Sequence, residues 1–166
     1  MENNYSKSQL TFLVILRIFT GWHFLYEGMV KVLNPNWSAS AYLMDSQGLF
    51  GQFFINMTTN PGLMKVVDFL NEWALVAIGL ALILGCFARL ASLGGILLLL
   101  LYTFSHPALI GVKYMMPMEG SYFLIDKNLV ELAALTVLFV FPASRIIGID
   151  LLLYKILPAS FRKFML

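Results

Sequence analysis

Four long apolar stretches dominate the hydrophobic pattern of the chain. They cover residues 10–33, 66–86, 90–110 and 129–147, and each is close to the roughly 20 residues of helix that a bilayer core requires. The first stretch is longer than the apolar region of a signal peptide, about 7–15 residues, so we expect it to be retained. The pattern predicts an all-α membrane protein, a four-transmembrane-helix bundle that forms a single domain over residues 1–166. After the last helix, residues 148–166 mix charges with leucines and predict an amphipathic tail that rests on the membrane surface.

The basic residues predict how this bundle is oriented. Four spans place both termini and the short connection at Arg89 on one side of the membrane. That side holds Lys7, Arg89, Arg145, Lys155, Arg162 and Lys163, and the opposite side holds Lys31, Lys65, Lys113 and Lys127. Because positive charge favours the cytoplasmic side, we expect both termini to be cytoplasmic.

The composition excludes several classes of protein. The chain has 60% hydrophobic and 12% charged residues, whereas a soluble domain has about 25% charged residues. A net charge of +2 without a Lys/Arg run argues against a nucleic-acid partner. Cys86 is the only cysteine, which excludes an intramolecular disulfide, a CxxC redox pair and a thiolate metal site. We expect no bound metal.

Charged side chains inside the first apolar helix are the most informative residues of the sequence. Arg17, His23, Glu27 and Lys31 fall within about 120° of the helix circumference at 100° per residue. A charge at the centre of a membrane helix costs at least ~2.5–3.5 kcal/mol on insertion scales. We therefore interpret them as one polar stripe that faces the interior of the bundle. Gly21 and Gly28 lie beside the stripe, where small residues allow another helix to approach closely.

The other three helices carry polar residues near the same end of the bundle. These residues are Asp68, Asn71 and Glu72 in the second helix, Tyr102 in the third, and Lys127, Asn128 and Glu131 in the fourth. The topology places all of them in the outer half of the bundle. The sequence therefore predicts a polar pocket that is open toward the outer side and closed by apolar residues below.

A structural interpretation of the same residues stays open. Glu27 with Lys31, and Glu131 with Lys127, could be ion pairs that hold the helices in register. His106, which precedes Pro107, fits a loop or interfacial position better than a ligand position. The group Met115, Met116 and Met118 fits apolar lining better than copper ligation, which would need convergent soft ligands.

Four segments of the sequence resemble the DoxX family. LRIFTGWHFLYEGMVKVLNP has an early Arg, a Gly-aromatic run and then G-x-x-K, and WSASAYLMDSQGLFGQFF is similar to the outer segment of that family. NEWALVAIGLALILGCFARLAS and DKNLVELAAL resemble the family's second helix and the start of its fourth. The positions that match family motifs are Gly28, Lys31, Glu72, Arg89, Lys127 and Asn128.

The resemblance implies a small four-helix membrane protein that serves as an oxidoreductase subunit in a bacterial inner membrane. DoxD-type relatives are implicated in passing electrons from thiosulfate to a membrane quinone, so the resemblance implies a quinone as cofactor. In that interpretation the residues that bind the quinone are Lys31, Lys127, Asn128, Glu131 and Tyr102, and the proton-handling catalytic residues are Glu27, Glu72 and His23.

The source of the electrons and a non-catalytic alternative remain to be considered for this chain. The chain contains no flavin or nicotinamide fingerprint, so the electron would come from a partner or directly from a substrate. We therefore expect a protein partner or a homo-oligomer in addition to membrane lipids. The alternative is a non-catalytic membrane protein that binds a lipid or a client, as the related assembly factors and cargo receptors do. A transporter is disfavoured because the inner half lacks a polar path.

Overall fold

The structure is a computed structural model, and it describes residues 5–115, 123 and 125–156. These residues form helices and no strand. In chain order the helices are α1 Lys7–Val32, α2 Ser40–Met44, α3 Gly51–Thr58, α4 Pro61–Leu84, α5 Ala88–Ser105, α6 Lys127–Val140 and α7 Asp150–Ile156, with a 3₁₀ turn at Ala143–Arg145.

Three of these helices, α1, α4 and α5, are long and apolar enough to cross a membrane. The fourth helix, α6, ends earlier than the apolar stretch over residues 129–147 predicts. It ends at Val140, because Phe141 leaves the helical conformation. Pro142 explains this end, since the residue before a proline is sterically excluded from the α region. With 14 residues and a rise of about 1.5 Å per residue, α6 spans about 21 Å. The same effect ends α5 at Ser105, where His106 precedes Pro107.

The long helices begin at polar caps. Ser6 and Gln9 form a reciprocal capping box at α1, and the Asn60 side chain accepts hydrogen bonds from two backbone amides at the start of α4. Asp126, which the sequence places directly before the fourth helix, accepts from the Leu129 amide at 3.0 Å. These side chains satisfy amides that have no partner within the helix.

Glycine brings α1 and α4 into close contact along most of their length. A Cβ atom at Gly28 would lie 2.7 Å from the Val76 backbone nitrogen, and one at Gly21 would lie 3.0 Å from the Gly79 carbonyl oxygen. The expectation of a close approach at Gly21 and Gly28 is confirmed. The resulting core contains the buried side chains of Phe24, Leu75, Ile78, Leu82, Leu99, Leu135 and Leu138.

Two buried charged residues, Arg17 and Asp150, connect separate segments at the end of the bundle where the α4–α5 turn lies. The Arg17 guanidinium donates to the Ile147 carbonyl at 2.7 Å. The Asp150 carboxylate accepts from the Phe87 amide at 2.6 Å and from the Ala88 amide at 3.2 Å, so it caps α5. Asp150 is only 1% exposed and therefore differs from the expected surface residue of an amphipathic tail. The later part of that tail, residues 157–166, lies outside the described residues.

The opposite end of the bundle is covered by α2 and α3. Their own small core consists of Ala39, Leu43, Phe54 and Met64. Asp68 of α4 holds this cover in place, because its carboxylate accepts from the Ala39 amide at 2.8 Å. We call this the covered end and the opposite one the hairpin end. The aromatic side chains of Trp37 and Tyr42 pack against this small core.

The glycine contact predicts a difference between two identical substitutions. Gly28→Ala should lower the free energy of unfolding by about 1–3 kcal/mol, because the methyl group has no room against the α4 backbone. Gly94→Ala should be neutral or slightly stabilising, since its Cβ would meet the nearest atom of Ile78 at an ordinary 3.6 Å and alanine favours helix. Thermal unfolding in detergent measures both variants. Equal midpoints would contradict close packing at Gly28.

Candidate functional site: a polar cavity at the covered end

A cavity of about 350 Å³ lies among α1, α4, α5 and α6 at the covered end. Its volume is within the range of small-molecule sites, about 300–1,000 Å³. Its polar and aromatic lining consists of His23, Glu27, Lys31, Trp37, Ser38, Tyr42, Asn71, Tyr102, His106, Asp126, Lys127, Asn128 and Glu131. Phe24, Leu75 and Leu99 line it among apolar residues.

The structure brings together nearly all of the site residues predicted from the sequence. The predicted residues that line this one cavity are His23, Glu27, Lys31, Tyr102, Lys127, Asn128 and Glu131. Glu72 is the exception, because it lies on α4 outside the described lining. Its carboxylate still attracts the Lys31 ammonium electrostatically, as does that of Glu27.

An ion pair joins α1 to α6 at the edge of the cavity. His23 Nδ1 lies 2.8 Å from Glu131 Oε1, a typical distance for the charge-assisted hydrogen bond that a protonated imidazole donates to a carboxylate. A pair of Glu131 with Lys127 was one of the alternatives that the sequence left open, and the structure places the Glu131 carboxylate against His23. Their side-chain exposures differ, at 47% for His23 and 14% for Glu131. The pair can hold one proton, which the more exposed His23 imidazole and the more buried Glu131 carboxylate share.

Lys31 lies between a carboxylate and an aromatic ring. Its ammonium donates to Glu27 Oε2 at 3.3 Å, the i, i+4 pair that the sequence predicted. The same nitrogen lies 5.6 Å from the centre of the Trp37 ring, within cation–π range. The ammonium is therefore held in one place at the cavity wall.

Asn71 and Tyr102 connect α4 to α5 across the floor of the cavity. The Asn71 side-chain amide donates to the Tyr102 hydroxyl at 2.7 Å. The hydroxyl keeps its own proton available for a further hydrogen bond, because a phenol can donate and accept at once.

His106 is the centre of an aromatic stack on another wall. Its ring centroid lies 3.7 Å from that of Tyr42 with an interplanar angle of 23°, and 4.7 Å from that of Tyr114. His106 Nδ1 is 3.0 Å from Ser105 Oγ. The residue is only 1% exposed, and this burial lowers the pKa of His106 to about 4 despite the opposing charge of Asp45. The His106 imidazole is therefore neutral at pH 7. Burial also raises the pKa of Tyr42 and of Tyr114.

Two buried polar atoms of the lining residues have no hydrogen-bond partner among the residues that the structure describes. They are Asn71 Oδ1 and His106 Nε2. A buried polar atom without a partner costs about 1–3 kcal/mol, and such atoms in folded proteins call for an explanation. Because both side chains line the cavity, a ligand with hydrogen-bonding groups would satisfy them.

Sequence reasoning missed part of this lining. Trp37 precedes α2 and Tyr42 lies on it, and a helix of five residues is too short for its sequence pattern to indicate which side chains face inward. His106 lies directly after α5, at the loop position that the sequence predicted, but its side chain is buried in the lining. The available signal was its place at the end of an apolar helix, on the same side of the membrane as the other polar residues. Within the described part of the chain, no three His, Cys, Asp or Glu side chains converge to hold a metal ion.

Comparison with known proteins adds one finding. A protein-family model, DoxX, matches residues 12–108. This range includes most of α1, all of α2 to α5 and most of the residues that line the cavity. Comparisons with curated proteins and with solved structures give no significant match.

The buried imidazole predicts a pH dependence of stability. His106 is neutral in the folded protein down to a pKa of about 4, whereas an unfolded histidine takes up a proton near pH 6.5. Stability should therefore fall as the pH decreases from about 6.5 to about 4, by up to about 3 kcal/mol, and this loss should level off below pH 4.

Thermal unfolding between pH 7.5 and 4.5 measures the effect in the wild type and in His106→Gln. The glutamine variant keeps a polar side chain that does not titrate, and every carboxylate is shared by the two proteins. A smaller loss of stability is expected in the variant. Parallel curves for both proteins would contradict a neutral, buried His106.

Proposed function

The chain belongs to the DoxX family of membrane proteins, and we propose that it binds a quinone in the polar cavity as a component of a membrane oxidoreductase. The observation that carries this proposal is the convergence of ionisable pairs and unpartnered polar atoms on one cavity of about 350 Å³. A bilayer cofactor that reaches such a cavity needs an apolar body and a polar head. A quinone has both.

The residues present fit a quinone head group. Its two carbonyl oxygens need hydrogen-bond donors, and the Lys31 ammonium and the Tyr102 hydroxyl both line the cavity. Lys127 and Asn128 supply further donors at the start of α6. A flat ring needs apolar or aromatic walls, which Phe24, Leu75, Leu99 and the Tyr42–His106 stack provide.

A bound quinone would supply chemistry that takes up two electrons and two protons. The protein would supply the protons from two groups at the cavity wall, the His23–Glu131 pair and the Glu27 carboxylate. Proton transfer requires a donor within hydrogen-bond reach of the ligand or of one bridging water. In this proposal Glu72 acts indirectly, because its charge attracts Lys31 from outside the cavity.

The electrons would come from a reduced partner protein. Cys86 is the only thiol of the chain. It lies in the α4–α5 turn at the hairpin end, opposite the cavity. Burial raises the pKa of this thiol, which lowers the reactive thiolate fraction. We therefore propose that the protein acts in a complex, either with such a partner or with further copies of itself.

A second candidate function is non-catalytic binding of a lipid or a client protein. The observation that favours it is that the charged groups of the site already have partners within the protein, Lys31 with Glu27 and His23 with Glu131. Such pairs need no proton transfer and would only complement the polar head of the bound molecule.

We also propose that α6 completes a four-helix bundle in a bacterial inner membrane. The chain after α6 reaches the hairpin end, where the Ile149 amide donates to the Leu84 carbonyl at 3.1 Å and the Asp150 amide to the Gly85 carbonyl at 2.8 Å. The segment from Lys127 to Asp150 therefore runs from the covered end to the hairpin end. This path supports a fourth span and, with the distribution of basic residues, cytoplasmic termini.

Quinone binding can be measured through Trp37, whose ring faces the cavity. A soluble short-chain quinone should quench the tryptophan fluorescence of the protein in detergent, and Trp37→Phe should remove most of the quenching. Lys31→Met should weaken binding by at least about tenfold, because a hydrogen bond from a charged donor contributes about 1.5–3 kcal/mol.

Lys65→Met is the matched control, because Lys65 is exposed on α4 outside the cavity lining. It should bind as the wild type does. Native mass spectrometry of the protein from its own membrane provides an independent test. A copurified quinone that is lost in Lys31→Met supports the redox proposal, whereas a phospholipid or client polypeptide without any quinone supports the second candidate.

Cysteine labelling tests the proposed topology. In a Cys86→Ser background, single cysteines replace the exposed residues Lys7, Lys113 and Lys155, and intact cells are treated with a membrane-impermeant maleimide. Four spans with cytoplasmic termini predict labelling of Lys113→Cys alone. Labelling of Lys155→Cys together with Lys113→Cys would show that α6 does not cross, and labelling of Lys7→Cys would reverse the orientation.

A further inference from the structure

A second concave region lies on the outer surface between α1 and α6. It has a volume of about 620 Å³ and is lined by Phe19, Thr20, His23, Ile125, Asp126, Lys127, Val130, Glu131 and Ala134. We call it the α1–α6 groove. Phe19, Ile125 and Val130 are 71%, 66% and 61% exposed, so its apolar walls are accessible from the surroundings of the bundle.

The groove and the cavity share four residues. His23, Asp126, Lys127 and Glu131 line both of them. The His23–Glu131 pair therefore forms part of the partition between the two spaces. His23 contributes its more exposed ring and Glu131 its more buried carboxylate. On the groove side the wall changes from these polar residues to Phe19, Val130 and Ala134, so the groove is polar where it meets the cavity and apolar beyond it.

We propose that the α1–α6 groove binds the hydrocarbon tail of the amphiphile whose head group occupies the cavity, and that the amphiphile enters from the bilayer between these two helices. The inference rests on the proposed function in one respect, because it requires a head group in the cavity. It adds a second binding subsite and a route of entry. The polar cavity adjoins the more apolar groove, as the polar head of an amphiphile adjoins its hydrocarbon tail.

The packing of the helices agrees with entry at this place. Glycines bring α1 against α4 without room for a methyl group, and α5 packs extensively on α6, whereas α1 and α6 contact each other sparsely. In the groove Thr20 and Ala134 present small side chains where a larger residue would fill the space. Of these helix pairs, α1 and α6 therefore need to lose the fewest contacts to admit a ligand.

Two alanines that adjoin each other on α6 provide a matched test. Ala134 lines the groove, whereas Ala133 is exposed and lies outside its lining. Ala134→Phe fills the groove, and Ala133→Phe adds the same side chain elsewhere on the lipid-facing surface. Neither adds a tryptophan, so Trp37 fluorescence remains usable. The probes are two quinones with the same ring, one without a tail and one with a ten-carbon alkyl tail.

The wild type and Ala133→Phe should bind the tailed quinone more tightly than the tail-less one by the same factor. Ala134→Phe should lose about tenfold of its affinity for the tailed quinone and keep its affinity for the tail-less one. Partition of the tail into detergent affects all three proteins alike, so it cancels when their affinities are compared.

Three outcomes of this experiment would contradict binding of the tail in the groove. Equal behaviour of Ala134→Phe and Ala133→Phe, with the tail-less quinone still bound, would overturn the tail subsite and leave the cavity proposal intact. Loss of both quinones in Ala134→Phe alone would also overturn it, because the substitution would then act on the head-group site. Failure of the wild type to bind either quinone would overturn both proposals.

Discussion

The requirement that charged groups on α1 find partners inside the bundle governs the rest of the structure. In hydrocarbon an unpaired charge is costly, so a helix that carries several must turn them toward its neighbours. Arg17, His23, Glu27 and Lys31 lie on one stripe, and each of them contacts a partner or lines an internal space. The rotation of α1 is therefore fixed by its charges, and Gly21 and Gly28 then decide how closely α4 approaches.

The two ends of this stripe serve different purposes. At the hairpin end, Arg17 and Asp150 bind backbone groups and tie the segment after α6 to the α4–α5 turn. Neither side chain lines the cavity at the covered end or the α1–α6 groove. At the covered end, the charges of His23 and Lys31 line a cavity instead. Buried charge thus binds backbone groups at one end and lines a cavity with room for a ligand at the other.

The helical elements could be predicted from the sequence because helix periodicity and the cost of buried charge act locally. These two rules located the stripe on α1, the close approach at its glycines and the polar residues that line the cavity. They could not place Trp37, which precedes α2, or Tyr42, which lies on α2, because this helix of five residues is too short to show a hydrophobic period. They also misplaced Asp150, since a charge near a leucine-rich tail is normally solvated, and its capping of α5 depends on a contact 62 residues away. The DoxX resemblance was confirmed by the family match.

The structural and functional interpretations of the polar residues differ in what they predict for the space beside an unpartnered polar atom. An unpartnered atom does not mark a ligand site by itself, because Arg17 Nε, Arg89 Nε and Ser144 Oγ are also buried without a partner among the described residues. None of these three side chains lines the cavity. Asn71 donates across to Tyr102 of α5, and His106 Nδ1 contacts the adjacent Ser105 hydroxyl. Their remaining polar atoms, Asn71 Oδ1 and His106 Nε2, are buried without a described partner and belong to side chains that line the cavity. Packing alone would favour apolar residues at both positions, because an unsatisfied polar atom is destabilising. Their presence in the lining of a cavity next to ionisable pairs therefore favours a site that is completed by a bound molecule.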